Sequence, residues 1–218
     1  NDLLVKVCSY ITDPVTTTDE LIPSGETSSY RSNPERLSEF ALSRRDPQYV
    51  GRSKVMRQIE RDREAGKALP EEVMKVYEAL TKAGIANDPA NTDIGSTIFA
   101  NMPGDGSARE QAASCQRVMG ASANFAKQYA TKRYRSNCIN WGMVPFLVED
   151  PEVFELGDYI FVPGIREAVL ENKASFSAYA VKPDGTVTEF PVSTGALTEA
   201  ERQIIADGCL INYYRNNQ

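Results

Sequence analysis

Residues 94–110 read IGSTIFANMPGDGSARE and contain the signals for a strand, a turn and a helix in that order. The first eight residues are apolar or small and predict a buried strand. Gly104 and Gly106 predict a tight turn, and Ser107 with Glu110 matches the S-x-x-E capping box that opens a helix. Such a unit can bind an anion at its backbone N–H groups, although a serine that only caps a helix remains the structural alternative.

The rest of the sequence mixes helical and strand patterns and predicts an α/β chain. Apolar residues recur at helical spacing in two segments and at the end of the chain, and three short segments have strand composition. The expected helices run from Ser53 to near Gly66, from Pro70 to Gly84, and from a capping box at Thr198 and Glu201 through Leu210; the expected strands are 159–162 and a hairpin of 176–181 with 186–192.

The first fifty residues are rich in Thr, Ser, Pro and Gly. We expect an irregular N-terminal arm over 1–50, which could lay polar groups around a site, within a single domain covering 1–218. No Met begins the chain, so it is expected to be a processed or excised piece of a longer protein. No secretory signal and no apolar run of membrane-spanning length is visible, and a cytoplasmic protein is expected.

Histidine is absent from the 218 residues, which restricts the chemistry that the chain can perform by itself. A Ser-His or Cys-His nucleophile pair and a His-ligated metal are both excluded within the chain. The cysteines Cys8, Cys115, Cys138 and Cys209 are far apart and are expected to be reduced thiols, mostly buried, with no metal bound. Acid–base chemistry must therefore use Ser, Tyr, Lys, Asp or Glu, or groups of a partner.

The net charge of −6 disfavours nonspecific nucleic-acid binding as the main role. Basic residues nevertheless predominate between residues 101 and 145, which suits a small anionic ligand, a docking face or simply a solvated helix. Lys132, Arg133 and Arg135 stand close to Tyr129 and Tyr134, a combination that could stack on RNA. An exposed helix face explains these residues equally well.

The segment 104–110 resembles the Gly-x-Gly-Ser-Ser-Arg-Glu signature of the aconitase and isopropylmalate isomerase superfamily, in its C-terminal swivelling domain. Three further segments agree with that family in order and spacing, so the resemblance spans nearly the whole chain. They are Thr17-Thr18-Asp19 followed by Gly25 and Arg31, Asn137 followed by Gly142 and Pro145, and the run from Ala206 to Leu210. The resemblance implies a swivelling β/β/α domain, with a small mixed sheet layered with helices.

The same resemblance implies hydro-lyase activity, since aconitases dehydrate a hydroxy-tricarboxylate to a cis-alkene and rehydrate it with the hydroxyl group moved. It implies that Ser107 is the base, that Arg109 beside it stabilises negative charge and contacts substrate, and that Asp19 joins the hydrogen-bond network of the site. Arg31 would bind a substrate carboxylate. Ala108 stands at a substrate-contacting position where the family signature has a second Ser, which leaves the identity of the hydroxy acid open.

The resemblance also places a [4Fe-4S] cluster on complementary domains, in the same polypeptide or in a separate large subunit, and none on this chain. The expected partners are those domains and a small polycarboxylate of the citrate, cis-aconitate or isocitrate type, without a membrane. The isolated chain is then expected to be inactive. Two alternatives stay open: a non-catalytic polycarboxylate-binding paralogue, which Ala108 favours, and an RNA-binding regulator, for which the basic surface is thin.

Overall fold

Seven strands form one mixed sheet in the computed structural model, which describes residues 2–23, 30, 32–107 and 109–217. One half of the sheet is parallel and consists of β1 (Asp2–Ile11), β3 (Thr92–Ala100), β5 (Ala121–Ala126) and β6 (Val144–Leu147). The other half is antiparallel and consists of β7 (Tyr159–Val162), β8 (Phe176–Val181) and β9 (Val187–Val192). The spatial order is β6-β5-β3-β1-β7-β8-β9, and β2 (Thr16–Thr17) pairs separately with β4 (Pro103–Asp105).

The strand β1 lies at the centre of this sheet, between β3 and β7. Leu4 and Cys8 face one apolar cluster and Val5 and Val7 face another, so both faces of the strand are covered. A strand buried on both faces is a continuous apolar run instead of an alternating one. The prediction of an irregular arm over 1–50 is therefore wrong for β1. The polar residues after this strand dominate the composition of the first fifty residues and conceal its short apolar run.

The sheet curls so far that its two edges meet. Leu147, at the end of β6, and Ser193, just after β9, exchange both backbone hydrogen bonds, with N–O distances of 2.7 and 3.1 Å. The concave side is filled by aromatic rings, among them Phe154, whose centroid lies 5.8 Å from that of Phe99 and 5.6 Å from that of Phe125 in edge-on pairs. The bridge is a single pair of residues, and it joins the two edges of the sheet at that point.

Helices cover the convex face and the ends of the curled sheet. The helix α3 (Tyr49–Glu64) packs across β3 and β1, and α4 (Glu71–Lys82) lies beside β8. Other helices are α1 (Thr18–Leu21), α2 (Pro34–Ser38), α5 (Gln111–Val118), α6 (Lys132–Asn140), α7 (Ile165–Leu170), α8 (Glu199–Asp207) and α9 (Leu210–Asn216). Within the described part of the chain, no helix has the length and apolar character that crossing a membrane requires.

The α/β class and the small mixed sheet layered with helices are confirmed. The strand at 159–162, the hairpin of β8 with β9, and the capping box between Thr198 and Glu201 all form as predicted. The last predicted helix is divided in two, since Gly208 takes a left-handed conformation with φ of 92° and ends α8 before α9 begins.

The predicted start of the helix at Ser53 is also wrong. The helix α3 begins at Tyr49, and the Ser53 hydroxyl lies inside the protein, where it donates to the carbonyl of Met119 at 2.7 Å and shares a 2.6 Å hydrogen bond with Ser96. A buried hydroxyl with two partners serves to join α3 to the sheet and does not cap a helix.

Candidate active site

Two loops meet at the carboxyl ends of the parallel strands β1 and β3. The loop after β1 contains Thr16 and Thr17, which pair in parallel with Pro103 and Asp105 in the loop after β3. The Asn101 side chain donates hydrogen bonds of 3.0 and 3.2 Å to two carbonyls at the start of the first loop. In open and in closed α/β sheets, ligands bind beyond the carboxyl ends of the parallel strands, so the two loops together form the candidate site.

The first loop ends in the short helix α1, which carries Asp19. Thr17 caps this helix: its hydroxyl accepts from the N–H of Glu20 at 3.1 Å, and the Glu20 carboxylate accepts from the N–H of Thr17 at 2.8 Å. This reciprocal pair is a capping box, which fixes the direction of the first helical turn. Asp19, in the same turn, is thereby held at the surface that faces the second loop.

The second loop is shaped by its two glycines. Gly104 and Gly106 have φ angles of 98° and 94°, a left-handed conformation that costs other residues energy. The ring of Tyr134 packs directly on Gly104, and Thr131 donates to the Gly104 carbonyl at 3.1 Å. A Cβ built on Gly106 would lie 3.7 Å from the hydroxyl oxygen of Thr18, so this end of the loop borders α1.

Ser107 follows Gly106 and is exposed. The predicted helix start at Ser107 is wrong, because α5 begins at Gln111 with Glu110 in the cap position and no side-chain cap. The Glu110 carboxylate instead accepts from the indole N–H of Trp141 at 3.2 Å. Ser107 therefore lies in the loop, outside the helix that it was predicted to cap.

Arg109 crosses from the second loop to the first. Its Nη2 donates to the carbonyl of Thr18 at 3.1 Å and also to the carbonyl of Ile22. The same nitrogen lies 3.7 Å from Oδ1 of Asp19. The structure thus brings together two residues that the sequence analysis selected, Asp19 and Arg109, although they are far apart in the chain.

A second arginine, which the sequence analysis missed, reaches the same carboxylate. Arg44 Nη1 lies 2.7 Å from Oδ2 of Asp19, and both side chains are about half exposed. The pair depends on a turn after α2, since the N–H of Leu42 donates to the carbonyl of Leu21 at the end of α1. Arg44 belongs to no periodic pattern or motif, so no signal in the sequence pointed to it.

Two predicted site residues, Arg31 and Ala108, lie outside the described residues, as does Gly25 of the same motif. The predicted substrate-binding roles of Arg31 and Ala108 remain predictions.

The polar groups behind the site are buried and neutral. The Tyr134 hydroxyl donates to Gln116 at 2.5 Å, and the Asn124 amide donates to both the Tyr134 hydroxyl and the Cys138 sulfur. Burial raises the pKa of the Cys138 thiol to about 12 and that of the Tyr134 hydroxyl well above its usual value. These groups support the second loop from within, and their high pKa values do not suit acid–base work near neutrality.

The cysteines do not converge on one point. Cys8, Cys115 and Cys138 are buried, as predicted, and Cys209 is half-buried. Burial raises the pKa of Cys8 to about 12 and also raises that of Cys115, which opposes the thiolate form that an iron–sulfur cluster needs. Among the described residues, no group of three His, Cys, Asp or Glu side chains is arranged to hold a metal ion. The thiols of this chain therefore do not fit a [4Fe-4S] cluster.

The residues considered for RNA stacking are used differently. The Tyr134 ring is only 2% exposed, and the Tyr129 hydroxyl donates to the carbonyl of Phe146 at 3.1 Å. Arg135 donates to the carbonyls of Thr194 and Ala196 at 2.9 and 2.8 Å. This cluster ties α6 to the segment after β9 and offers no exposed aromatic pair for bases.

Comparison with known proteins adds two similarities. The methanogen homoaconitase small subunit of Methanocaldococcus jannaschii is 30% identical to this chain over 138 residues, which are 62% of this chain and 72% of that protein. The crystal structure of 3-isopropylmalate dehydratase from the same organism matches 100% of this chain and 95% of its own, with a TM-score of 0.60 and 19% identity, and shows that the fold is shared. No protein-family model matches the chain.

Proposed function

The chain belongs to the aconitase and isopropylmalate isomerase superfamily, and on this basis we propose that it supplies the swivelling half of a hydro-lyase active site. One observation carries the proposal. The loops after β1 and β3 pair with each other, and together they bear Ser107, Asp19 and Arg109. Ser107 is exposed, and Arg109 Nη2 lies 3.7 Å from Oδ1 of Asp19. The proposed reaction is the reversible dehydration of a hydroxy di- or tricarboxylate.

In this proposal Ser107 removes the proton from the carbon next to a substrate carboxylate. The electron pair of the broken C–H bond forms the C=C bond as the C–O bond on the adjacent carbon breaks. The departing hydroxyl group takes up a proton on the side of the site that faces the partner and leaves as water. Rehydration reverses these steps, and the proton on Ser107 returns to carbon.

Ser107 can act as a base only if its hydroxyl loses its own proton, which is unfavourable in water near neutrality. Nearby cations and N–H donors favour the ionised form. Arg109 stands two residues after Ser107 in the same loop and supplies one such cation, which favours both an ionised serine and a carboxylate substrate.

The similar methanogen protein is a small subunit, and we propose that this chain likewise works with a large-subunit partner. The partner would carry the [4Fe-4S] cluster, for which the thiols of this chain are unsuited. It would also carry the groups that bind the other side of the substrate. The isolated chain would therefore be inactive.

The substrate class in this proposal is a hydroxy di- or tricarboxylate of the citrate, cis-aconitate or isocitrate type. Arg109 can present Nη1 and Nε to one carboxylate of such a ligand. Its hydrogen bonds to the described residues all use Nη2. The choice among hydroxy acids would depend on Arg31 and Ala108, which belong to two different segments of the chain.

The decisive experiment is cis-aconitate hydration by the chain assembled with its partner under anaerobic conditions, followed as loss of the alkene's ultraviolet absorbance. Wild type should be active, and Ser107→Ala should lose about 10²–10⁴-fold in kcat, the range for a general base. Ser177→Ala is the matched control, since Ser177 is bonded to Glu189 on the β8–β9 hairpin and should keep full activity.

Four results would contradict the proposal in different ways. Full activity of Ser107→Ala would remove the serine from the base role. An inactive wild type that contains iron would reject this substrate class. An inactive wild type without bound iron would favour the non-catalytic polycarboxylate-binding alternative. Turnover by the isolated chain would reject the need for a partner.

A further inference from the structure

Glu110 stands directly after Arg109, at the cap position of α5, but its side chain does not cap the helix. Ser, Thr, Asp and Asn are the usual cap residues, because their short side chains reach the free N–H groups of the first turn. The Glu110 carboxylate instead accepts from Nε1 of Trp141 at 3.2 Å. This hydrogen bond joins the end of the second loop to the end of α6, which lies 31 residues further along the chain.

Trp141 is held in position by its own neighbours. Its backbone N–H donates to the carbonyl of Asn137 at 3.1 Å, which completes the last turn of α6, and its ring packs against the larger apolar cluster of the core. Gly142 has a left-handed φ of 84°, and a Cβ built on it would overlap the carbonyl oxygen of Gly208. The backbone after Trp141 therefore packs directly on the backbone between α8 and α9, which sets the position from which the indole reaches Glu110.

Two of the segments that carry the family resemblance meet in this contact. Asn137 and Gly142 belong to one of them, and Gly208 belongs to the other. Neither segment contributes a side chain to the paired loops after β1 and β3. The hydrogen bond from Trp141 to Glu110 is a direct link from both segments to the signature segment 104–110.

Arg109 is held at its two ends by different parts of the structure. Its Nη2 donates to two carbonyls of the first loop, whereas its own carbonyl accepts from the N–H of Ala112 at 3.2 Å and so joins the first turn of α5. Glu110, in the same turn, is tied to Trp141. Without that tie the turn could shift relative to the first loop, and Arg109 would present Nε and Nη1 in a less constant direction. Direction matters because a guanidinium group binds a carboxylate through two parallel hydrogen bonds.

We infer that Trp141 is a positioning residue of the candidate site: through Glu110 it fixes the direction in which Arg109 presents its guanidinium group to a substrate carboxylate. The inference rests on the proposed function, since it assumes that Arg109 binds a ligand with several carboxylates. It predicts that Trp141 affects ligand affinity only while an arginine stands at position 109.

Two substitutions remove the hydrogen bond from opposite ends. Trp141→Phe keeps an aromatic ring but loses the N–H, and Glu110→Ala loses the acceptor. Glu110→Gln keeps an amide oxygen that can accept from the indole. Glu110 is exposed, so its variants should fold even if Trp141→Phe does not. Glu189→Ala is the matched control, because Glu189 is also exposed and accepts one hydrogen bond, from Ser177 at 2.7 Å, but lies on the β8–β9 hairpin.

The test measures the affinity of the assembled enzyme for tricarballylate, a saturated tricarboxylate, by calorimetry. Trp141→Phe and Glu110→Ala should each raise Kd about fivefold, as expected for the loss of one hydrogen bond. Glu110→Gln should retain most of the affinity, and Glu189→Ala should not change it. With cis-aconitate as substrate, Trp141→Phe and Glu110→Ala should lower kcat/KM by at least the same factor.

A double-variant cycle tests whether Trp141 acts through Arg109. Arg109→Lys keeps the positive charge but replaces the planar fork with a single ammonium group, for which direction matters less. In that background Trp141→Phe and Glu110→Ala should have no further effect on the Kd of tricarballylate.

Unchanged affinity in Glu110→Ala would overturn the inference, because the hydrogen bond would then position nothing. An equal effect of Trp141→Phe in the wild-type and Arg109→Lys backgrounds would assign Trp141 to packing alone, and an equal loss in Glu189→Ala would reduce the effect to overall charge. The proposed function fails separately if wild type binds tricarballylate but does not hydrate cis-aconitate, in which case the Kd values still decide the role of Trp141. A wild type that binds no tricarballylate would reject both.

Discussion

The ring of Tyr134 lies directly against the backbone of Gly104. A Cβ built on Gly104 would come within 2.5–2.7 Å of three atoms of the Tyr134 side chain, closer than atoms pack in proteins. Tyr134 is itself fixed by hydrogen bonds to Gln116 and Asn124. The loop that bears Ser107 therefore rests on a buried, hydrogen-bonded ring, and any side chain at position 104 would overlap that ring.

Gly104→Ala should destabilise the protein and displace the serine loop. The left-handed φ of 98° costs an alanine about 1–2 kcal/mol, and the overlap with Tyr134 adds about 1–3 kcal/mol. Urea denaturation of the chain measures the loss of unfolding free energy, and cis-aconitate hydration by the assembled enzyme measures the effect on the site.

Gly185→Ala is the control for that substitution. Gly185 also has a left-handed φ, of 90°, but a Cβ placed on it would meet no other atom within 4 Å. It should lose only the conformational term of about 1–2 kcal/mol and keep its activity. Equal losses in the two variants would show that Tyr134 does not constrain the loop.

Ser193→Pro should open the curled sheet. Proline removes the N–H that donates to the Leu147 carbonyl at 3.1 Å and leaves that carbonyl without its partner, at a cost of about 1–3 kcal/mol. Ser193→Ala keeps the backbone bond and should be close to wild type. Hydrogen exchange at the N–H of Leu147 is the direct measurement; unchanged protection in the proline variant would mean that the bridge does not close the sheet.

The stability of the chain should fall as the pH rises from about 9 towards 12. Burial raises the pKa of Cys8 and Cys138 from 9.0 to about 12, so between these values each thiol ionises in the unfolded chain but stays protonated in the folded one. The unfolded state then binds fewer protons than the folded state, and unfolding becomes more favourable by about 1.4 kcal/mol per pH unit for each such thiol.

Cys138→Ala tests this assignment. Removing one of the two thiols should reduce the slope of unfolding free energy against pH by about 1.4 kcal/mol per pH unit within that window. Urea denaturation at a series of pH values gives the slope for both proteins. Parallel curves for wild type and Cys138→Ala would exclude this thiol as a source of the pH dependence.

Local patterns predicted several elements well. The hairpin around residues 183–185 and the capping box at Thr198 depend on residues that are close in the chain, and both form. Errors arose where a distant segment decides the local structure. Residues 103–105 pair with the distant Thr16 and Thr17, and the helix after them begins at Gln111 instead of Ser107.

The candidate site was predicted in part for the same reason. Asp19 and Arg109 belong to motifs and could be selected from sequence, and the structure brings them together. Arg44 belongs to no motif, and its contact with Asp19 depends on a backbone hydrogen bond between Leu42 and Leu21. Such a contact is set by packing between segments that sequence patterns do not relate to each other.

Composition and local pattern were sufficient for the α/β class, the absence of histidine chemistry within the chain and the serine-bearing glycine turn. These properties follow from residue content and from the conformational preferences of neighbouring residues, which act over a few positions. The central place of β1, the closure of the sheet between Leu147 and Ser193, and the position of Asp19 between Arg44 and Arg109 became known only from the folded chain. Those relationships join distant segments, and they form because the complete fold buries its apolar faces and pairs its polar groups together.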